Sequence, residues 1–129
     1  MSHHAHMKHI PNPPELILLK ALWRHGALPV RSLHEKCVGD LAWSFSSTRK
    51  TLERMGDKGF VTISKQSGPA RVSAKISKTT TLAVMAREFF GRVLEVDGPL
   101  PTSTFTGSTL LSDEELDELE GLLGTQDIR

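Results

Sequence analysis

Apolar residues recur along the chain with a period that changes from helical to alternating and back again. Between Asn12 and Gly26, Leu16, Leu19 and Trp23 stand at i, i+3 and i+7, with Leu18 and Leu22 widening the stripe. That is the spacing of one helix face. Asn12 suits the N-cap, Pro13 the first helical position and Glu15 a capping-box partner, while Gly26 supplies the stop. A second, shorter helix is expected over about residues 30–38, with Val30, Leu33 and Cys37 on one side. The third spans residues 44–55, where Phe45, Thr48, Leu52 and Met55 follow at spacings of three, four and three and so share a face. Beyond Gly59 the period becomes two. Phe60-Val61-Thr62-Ile63-Ser64 alternates, Gln66-Ser67-Gly68-Pro69 is turn chemistry, and residues 71–77 alternate again. This predicts a two-stranded hairpin, which is marginal alone and must lean on the helices. Three helices followed by a hairpin is the order of a winged helix-turn-helix domain, here over residues 12–77.

Helical spacing resumes over residues 78–96 with Leu82, Met85, Phe89, Val93 and Val96, while Phe90 and Leu94 lie on an adjoining face. Asp97-Gly98-Pro99-Leu100-Pro101 breaks it, and residues 102–109 read as a loop around Phe105 with room for a short helix. The last helix opens on a capping box, Ser112-Asp113-Glu114-Glu115, with Leu111 and Leu116 as a hydrophobic staple. Leu116, Leu119 and Leu123 form its stripe and Gly124 ends it. A three-helix domain that already has its core cannot bury these stripes, so self-association is expected. Residues 78–124 are thus read as a helical dimerisation region using Leu82, Met85, Phe89, Phe90, Val93, Leu116, Leu119 and Leu123. Residues 1–11 read as a disordered leader and residues 125–129 as a tail. The expected fold class is mainly α with a small β-hairpin, a winged helix-turn-helix domain followed by that region.

Charge sharpens the division. The 129 residues carry a net charge of only +1. Residues 1–80 hold 13 Lys and Arg against 5 Asp and Glu, a net +8, whereas residues 81–129 hold 3 against 10, a net −7. A basic first half suits a polyanion, and an acidic second half would be repelled by one. The apolar fraction of 38% allows a modest core. No stretch approaches the roughly 20 apolar residues that span a bilayer, and no signal-peptide pattern opens the chain, so a cytoplasmic protein without membrane insertion is expected. One cysteine excludes an internal disulfide framework. Cys37 reads as a small core residue. His3, His4, His6 and His9 could gather a metal, but without ordered supporting partners such binding is usually adventitious. The acidic run Asp113, Glu114, Glu115, Asp117, Glu118 and Glu120 reads as a solvated face favoured by the helix dipole. No metal or other cofactor is expected. With no tyrosine, no glycine-rich phosphate loop and no nucleophile–base arrangement near a cleft, an enzyme is not expected. His25 and His34 read as surface or boundary residues.

The informative face is the outer side of the third helix. At about 100° per residue, Ser46, Ser47, Lys50 and Arg54 lie opposite the apolar side and Arg49 lies on its flank. Small hydroxyls allow a helix to approach base edges closely, and long cations reach guanine edges or phosphates. Ser46, Ser47, Arg49 and Lys50 are expected in a major groove of double-stranded DNA, with Arg54 and the hairpin cations Lys65 and Arg71 on phosphates. A basic winged domain serving an acidic protein instead of DNA is the alternative, and these residues alone leave it open.

Two blocks give the chain a family likeness. One is Glu15-Leu16-Ile17-Leu18-Leu19-Lys20-Ala21-Leu22-Trp23, leading to Gly26 and Val30-Arg31; the other runs from Trp43 through Ser46, Ser47, Arg49 and Arg54 to Lys58-Gly59-Phe60. With the ending Leu111-Ser112-Asp113-Glu114-Glu115-Leu116, the chain resembles the penicillinase-repressor family from Pro13 through Gly124. The resemblance implies a homodimeric winged-helix repressor on a pseudo-palindromic operator, dimerising through the helices after the wing. On matching positions Ser46, Ser47 and Arg49 address bases and Arg54 addresses phosphate. It further implies relief by an inducing protease that cuts the dimerisation region, at the bond here formed by Thr104 and Phe105. Threonine stands there in place of the family's asparagine. Residues 97–129 contain no cysteine, so the copper-sensing Cys pair of one branch is absent.

Overall fold

The Asn12 side chain accepts the backbone N–H of Glu15, and Glu15 Oε1 accepts that of Asn12, both at 3.0 Å. This reciprocal cap opens α1 (Pro13–His25) in the computed structural model, which describes residues 9–66 and 68–124. The buried side of α1 is Glu15, Leu18, Leu19 and Leu22, so the stripe is rotated from the one centred on Leu16 and Trp23. Glu15, 1% exposed, therefore sits among leucines. Lys58 Nζ reaches its Oε2 at 2.7 Å. The pair is a requirement of the fold, because a buried carboxylate stripped of its partner costs roughly 3–5 kcal/mol.

The chain leaves α1 at Gly26, forms a short strand β1 (Leu28–Pro29), and enters α2 (Val30–Leu41). Helix α2 runs three residues past the expected stop and ends at Ala42 in the left-handed region, φ 56°. Helix α3 (Phe45–Lys58) starts at Ser44, whose hydroxyl accepts the Ser47 N–H. It stops at Gly59, φ 85°, where a residue without Cβ turns the chain at little cost. Strands β2 (Val61–Ser64) and β3 (Arg71–Ala74) make the expected hairpin, with Val61 opposite Ala74 and Ser64 opposite Arg71. Strand β1 adds to β3 antiparallel, Leu28 facing Val72, giving the sheet order β1-β3-β2. That third strand was not foreseen: two residues, one a proline, carry no alternation to read. Leu18, Leu19, Leu22, Leu33, Cys37, Leu52, Met55, Phe60, Val61 and Val72 are buried. Burial, with the Asp40 carboxylate adding to it, pushes the Cys37 thiol up. Trp23 Nε1 donates to the Ile76 carbonyl at 3.2 Å and ties α1 to the end of the hairpin. The fold is mainly α with a small sheet, a winged helix.

These elements form one compact unit, Pro11–Ile76, and the described residues 77–124 form another together with His9 and Ile10. In the second unit Ser77 caps α4 (Lys78–Leu94), a 3-10 turn covers Thr102–Phe105, and the Ser112–Glu115 capping box opens α5 (Asp113–Leu123). Ala83, Leu100, Leu119 and Leu123 are its buried core, with Phe90, Phe105 and Leu122 packed around them. Lys78 Nζ donates to the Leu110 carbonyl at 2.5 Å and to Glu115 Oε1 at 3.0 Å, joining the starts of α4 and α5. Leu119 and Leu123, 2% and 0% exposed, are covered within the chain. Helices α4 and α5 thus cover part of each other, so the stripes expected to call for self-association find part of their cover within the chain. No helix among the described residues is long and apolar enough to cross a membrane. Residues 1–8, with His3, His4 and His6, and the tail 125–129 lie outside the described residues.

Candidate nucleic-acid interface

One buried hydroxyl ties α3 to its neighbours from beneath. Thr48 Oγ1 accepts the indole N–H of Trp43 at 2.9 Å and lies 2.7 Å from His34 Nδ1 on α2. Because the oxygen already accepts from Trp43, its own proton can go to an unprotonated Nδ1, the hydrogen on the imidazole then residing on Nε2. Thr48, Thr51, Leu52 and Met55 are the buried residues of α3. With that side fixed, Ser46, Arg49, Lys50 and Arg54 are exposed and Ser47 is half-buried. The structure thus places all five on the side of α3 away from the core.

Their local chemistry differs. The Ser46 and Ser47 hydroxyls each lie 3.2 Å from the Ser44 hydroxyl, a small polar cluster at the helix start. Arg49 and Lys50 make no hydrogen bond or ion pair among the described residues, so both are free to meet a ligand. Among the described residues Arg54 bonds only within its own helix, to Thr51 Oγ1 at 3.4 Å. The first two turns of α3, residues 45–52, hold Arg49 and Lys50 and no acid, whereas Glu53 and Asp57 come later. Positive charge is therefore concentrated in the N-terminal half, the part that a recognition helix presents to base edges.

On the hairpin, Lys65 is exposed and unpaired among the described residues, two positions before Ser67, which lies outside them. Arg71 is exposed as well, but its Nη2 donates to the Ala27 carbonyl at 3.1 Å, so part of its guanidinium serves the turn before β1. Sequence reasoning missed this tether. It also missed the Glu15–Lys58 pair, although Glu15 stands at i, i+3, i+4 and i+7 with Leu18, Leu19 and Leu22, and a carboxylate on a buried stripe calls for a cation. The Thr48 hub was legible only as a threonine on the apolar side of α3.

The charge follows the two units. Residues 11–76 hold 11 Lys and Arg against 5 Asp and Glu, a net +6, and residues 77–124 hold 3 against 9, a net −6. In the second unit Leu82, Met85 and Leu116 are half-buried. Phe89, Val93 and Leu94 on α4 and Val96 just past its end are 46%, 47%, 55% and 41% exposed, an apolar surface of the kind that marks an interaction site. Thr104 and Phe105 lie in the 3-10 turn, Phe105 half-buried against the core there. Among the described residues no group of His, Cys, Asp or Glu is arranged to hold a metal ion. A family model described as penicillinase repressor matches residues 13–125. No curated protein matches the chain.

Proposed function

The chain belongs to the penicillinase-repressor family of transcriptional regulators, and from that premise we propose a sequence-specific repressor that binds double-stranded DNA as a homodimer on a pseudo-palindromic operator. The observation that carries this reading is the two-sidedness of α3. Its core side is locked through Thr48, and its free side offers hydroxyls and two unpaired cations. Ser46, Ser47, Arg49 and Lys50 enter a major groove; Arg54, Lys65 and Arg71 hold phosphates. Two copies associate through the exposed apolar side of α4, at Phe89 and Val93, with Leu82 and Met85 beside them. Paired recognition helices then meet half-sites about 34 Å apart, one turn of DNA. The acidic second unit keeps the polyanion on the basic one. Relief by a protease that cuts between Thr104 and Phe105 fits the same reading, since a cut there severs the link between α4 and α5.

Binding to duplexes selected from a random pool, followed by mobility shift across a salt series, tests the proposal. Three phosphate-holding cations per subunit in a dimer give an expected slope of log K against log salt of about −5. Arg49→Ala is expected to relax sequence preference, and Arg54→Ala to weaken all sequences alike. Equal effects of the two on preference would overturn that division of labour. A chain that ignores duplex at low salt would be an acidic-protein adaptor instead.

A further inference from the structure

Arg31, in the first turn of α2, lies outside the set of DNA-contacting residues considered so far, yet it is built into the start of α3. Its guanidinium carbon lies 4.0 Å from the centroid of the Phe45 ring. Phe45 is the first residue of α3. His34, one turn after Arg31 on α2, meets the same ring edge-on, with centroids 5.5 Å apart at 76°. The two α2 residues thus hold one aromatic ring, and that ring holds the guanidinium.

A guanidinium carbon this close over a ring is at the distance of a contact through the face of the group. The five N–H groups lie in its plane and point outward. Arg31 is exposed and makes no hydrogen bond or ion pair among the described residues, so those donors have no protein acceptor. An arginine with no platform loses side-chain entropy when it is fixed on a ligand; one already lying on a ring loses less. Phe45 and Arg49 are four residues apart and so lie one above the other on α3. Arg31 therefore stands beside the base-reading end of the helix, on the element that crosses the DNA backbone in helix-turn-helix complexes.

We propose that Arg31, pre-oriented on Phe45, is a further DNA-binding residue that takes a backbone phosphate flanking the bases read by α3. This rests on the DNA-binding reading above. The ligand is a phosphodiester, recognised in the guanidinium plane by paired N–H donors. Contact with a base edge is the contrary outcome.

The test is a salt-series mobility shift with full-length wild type, Arg31→Ala, Phe45→Leu and the double variant, each on a selected duplex and a scrambled one. Arg31→Ala is expected to lose about tenfold on both duplexes at moderate salt. With Arg31 as a fourth phosphate contact per subunit the wild-type slope is expected at about −7 rather than about −5, and the Arg31→Ala slope shallower by about 1.8, one phosphate per subunit of a dimer. Phe45→Leu keeps apolar bulk but removes the platform, and is expected to lose several-fold. In the double variant the losses should not add, because the ring acts through Arg31. An unchanged slope for Arg31→Ala, or a loss confined to the selected duplex, overturns the phosphate assignment while wild-type binding stands. A wild type that fails to bind either duplex overturns the DNA-binding reading itself. Arg31 is exposed, so the alanine variant is expected to melt like wild type.

Discussion

One oxygen, Thr48 Oγ1, joins Trp43, His34 and α3 within 2.9 Å, so a single hydroxyl helps set the orientation of α3. Replacing the hydroxyl by a methyl group of nearly equal size keeps the volume but strands two ring nitrogens. Leaving a buried polar group unpaired costs roughly 1–3 kcal/mol. Because Trp43 and His34 are half-buried, Thr48→Val is expected to lower stability by about 1 kcal/mol in chemical denaturation and to weaken duplex binding, with Thr48→Ser restoring both. A valine variant as stable as wild type would show that packing, not the hydrogen bonds, sets the helix. Threonine at this position looks in the sequence like any small apolar-face residue. Its partners come from 14 and 5 residues away, and nothing in the local pattern names them.

At the scale of elements, caps were legible and contacts between elements were not. Asn12–Glu15 and Ser112–Glu115 are both reciprocal capping boxes in the structure, because a cap depends only on residues three apart. Glu115 does more than cap. The Ser112 backbone N–H and then Lys78 hold its carboxyl below the ordinary Glu range. The sign follows: with the folded value below the unfolded one, its contribution is complete above the unfolded value of about 4.3 and fades as pH falls through the folded value. Glu115→Gln is expected to lower the melting temperature at pH 7 and to converge with wild type in acid. A constant difference between pH 7 and pH 3 would mean that charge plays no part. Glu115 is 28% exposed as a side chain, so solvent limits the size of the effect. The hairpin was readable from alternation, but β1 was not, since its two residues become a strand only through pairing with β3.

For the molecule as a whole, the opposite net charges of the two units, +6 and −6 over residues 11–76 and 77–124, accord with the proposal that the first unit serves the polyanion. The exposed apolar side of α4 marks where copies meet in the proposed assembly. Phe89→Asp would place a charge in that surface, costly to bury without a partner. It is expected to shift the protein from dimer to monomer in sedimentation at micromolar concentration and to weaken binding to a two-half-site duplex at least tenfold. Since Phe89 is 46% exposed, the fold of the protomer should survive, which circular dichroism checks. A dimer that persists would move the interface off α4. Leu119 and Leu123 are no substitute as probes, because they hold the protomer's own core.

The amino-acid order by itself determined the number and kind of the main helices, their starts, the hairpin, the polar side of α3 and the charge division. Each depends on residues within a few positions of one another or on simple sums along the chain. Only the tertiary structure decided that Glu15 is buried with Lys58, 43 residues away, and that Arg71 is partly spent on Ala27. It also decided that Arg31 lies on Phe45 and that α5 buries its leucines inside the protomer. Those outcomes depend on which helix face turns inward and on what the facing element brings to it, and periodicity fixes neither to better than a fraction of a turn.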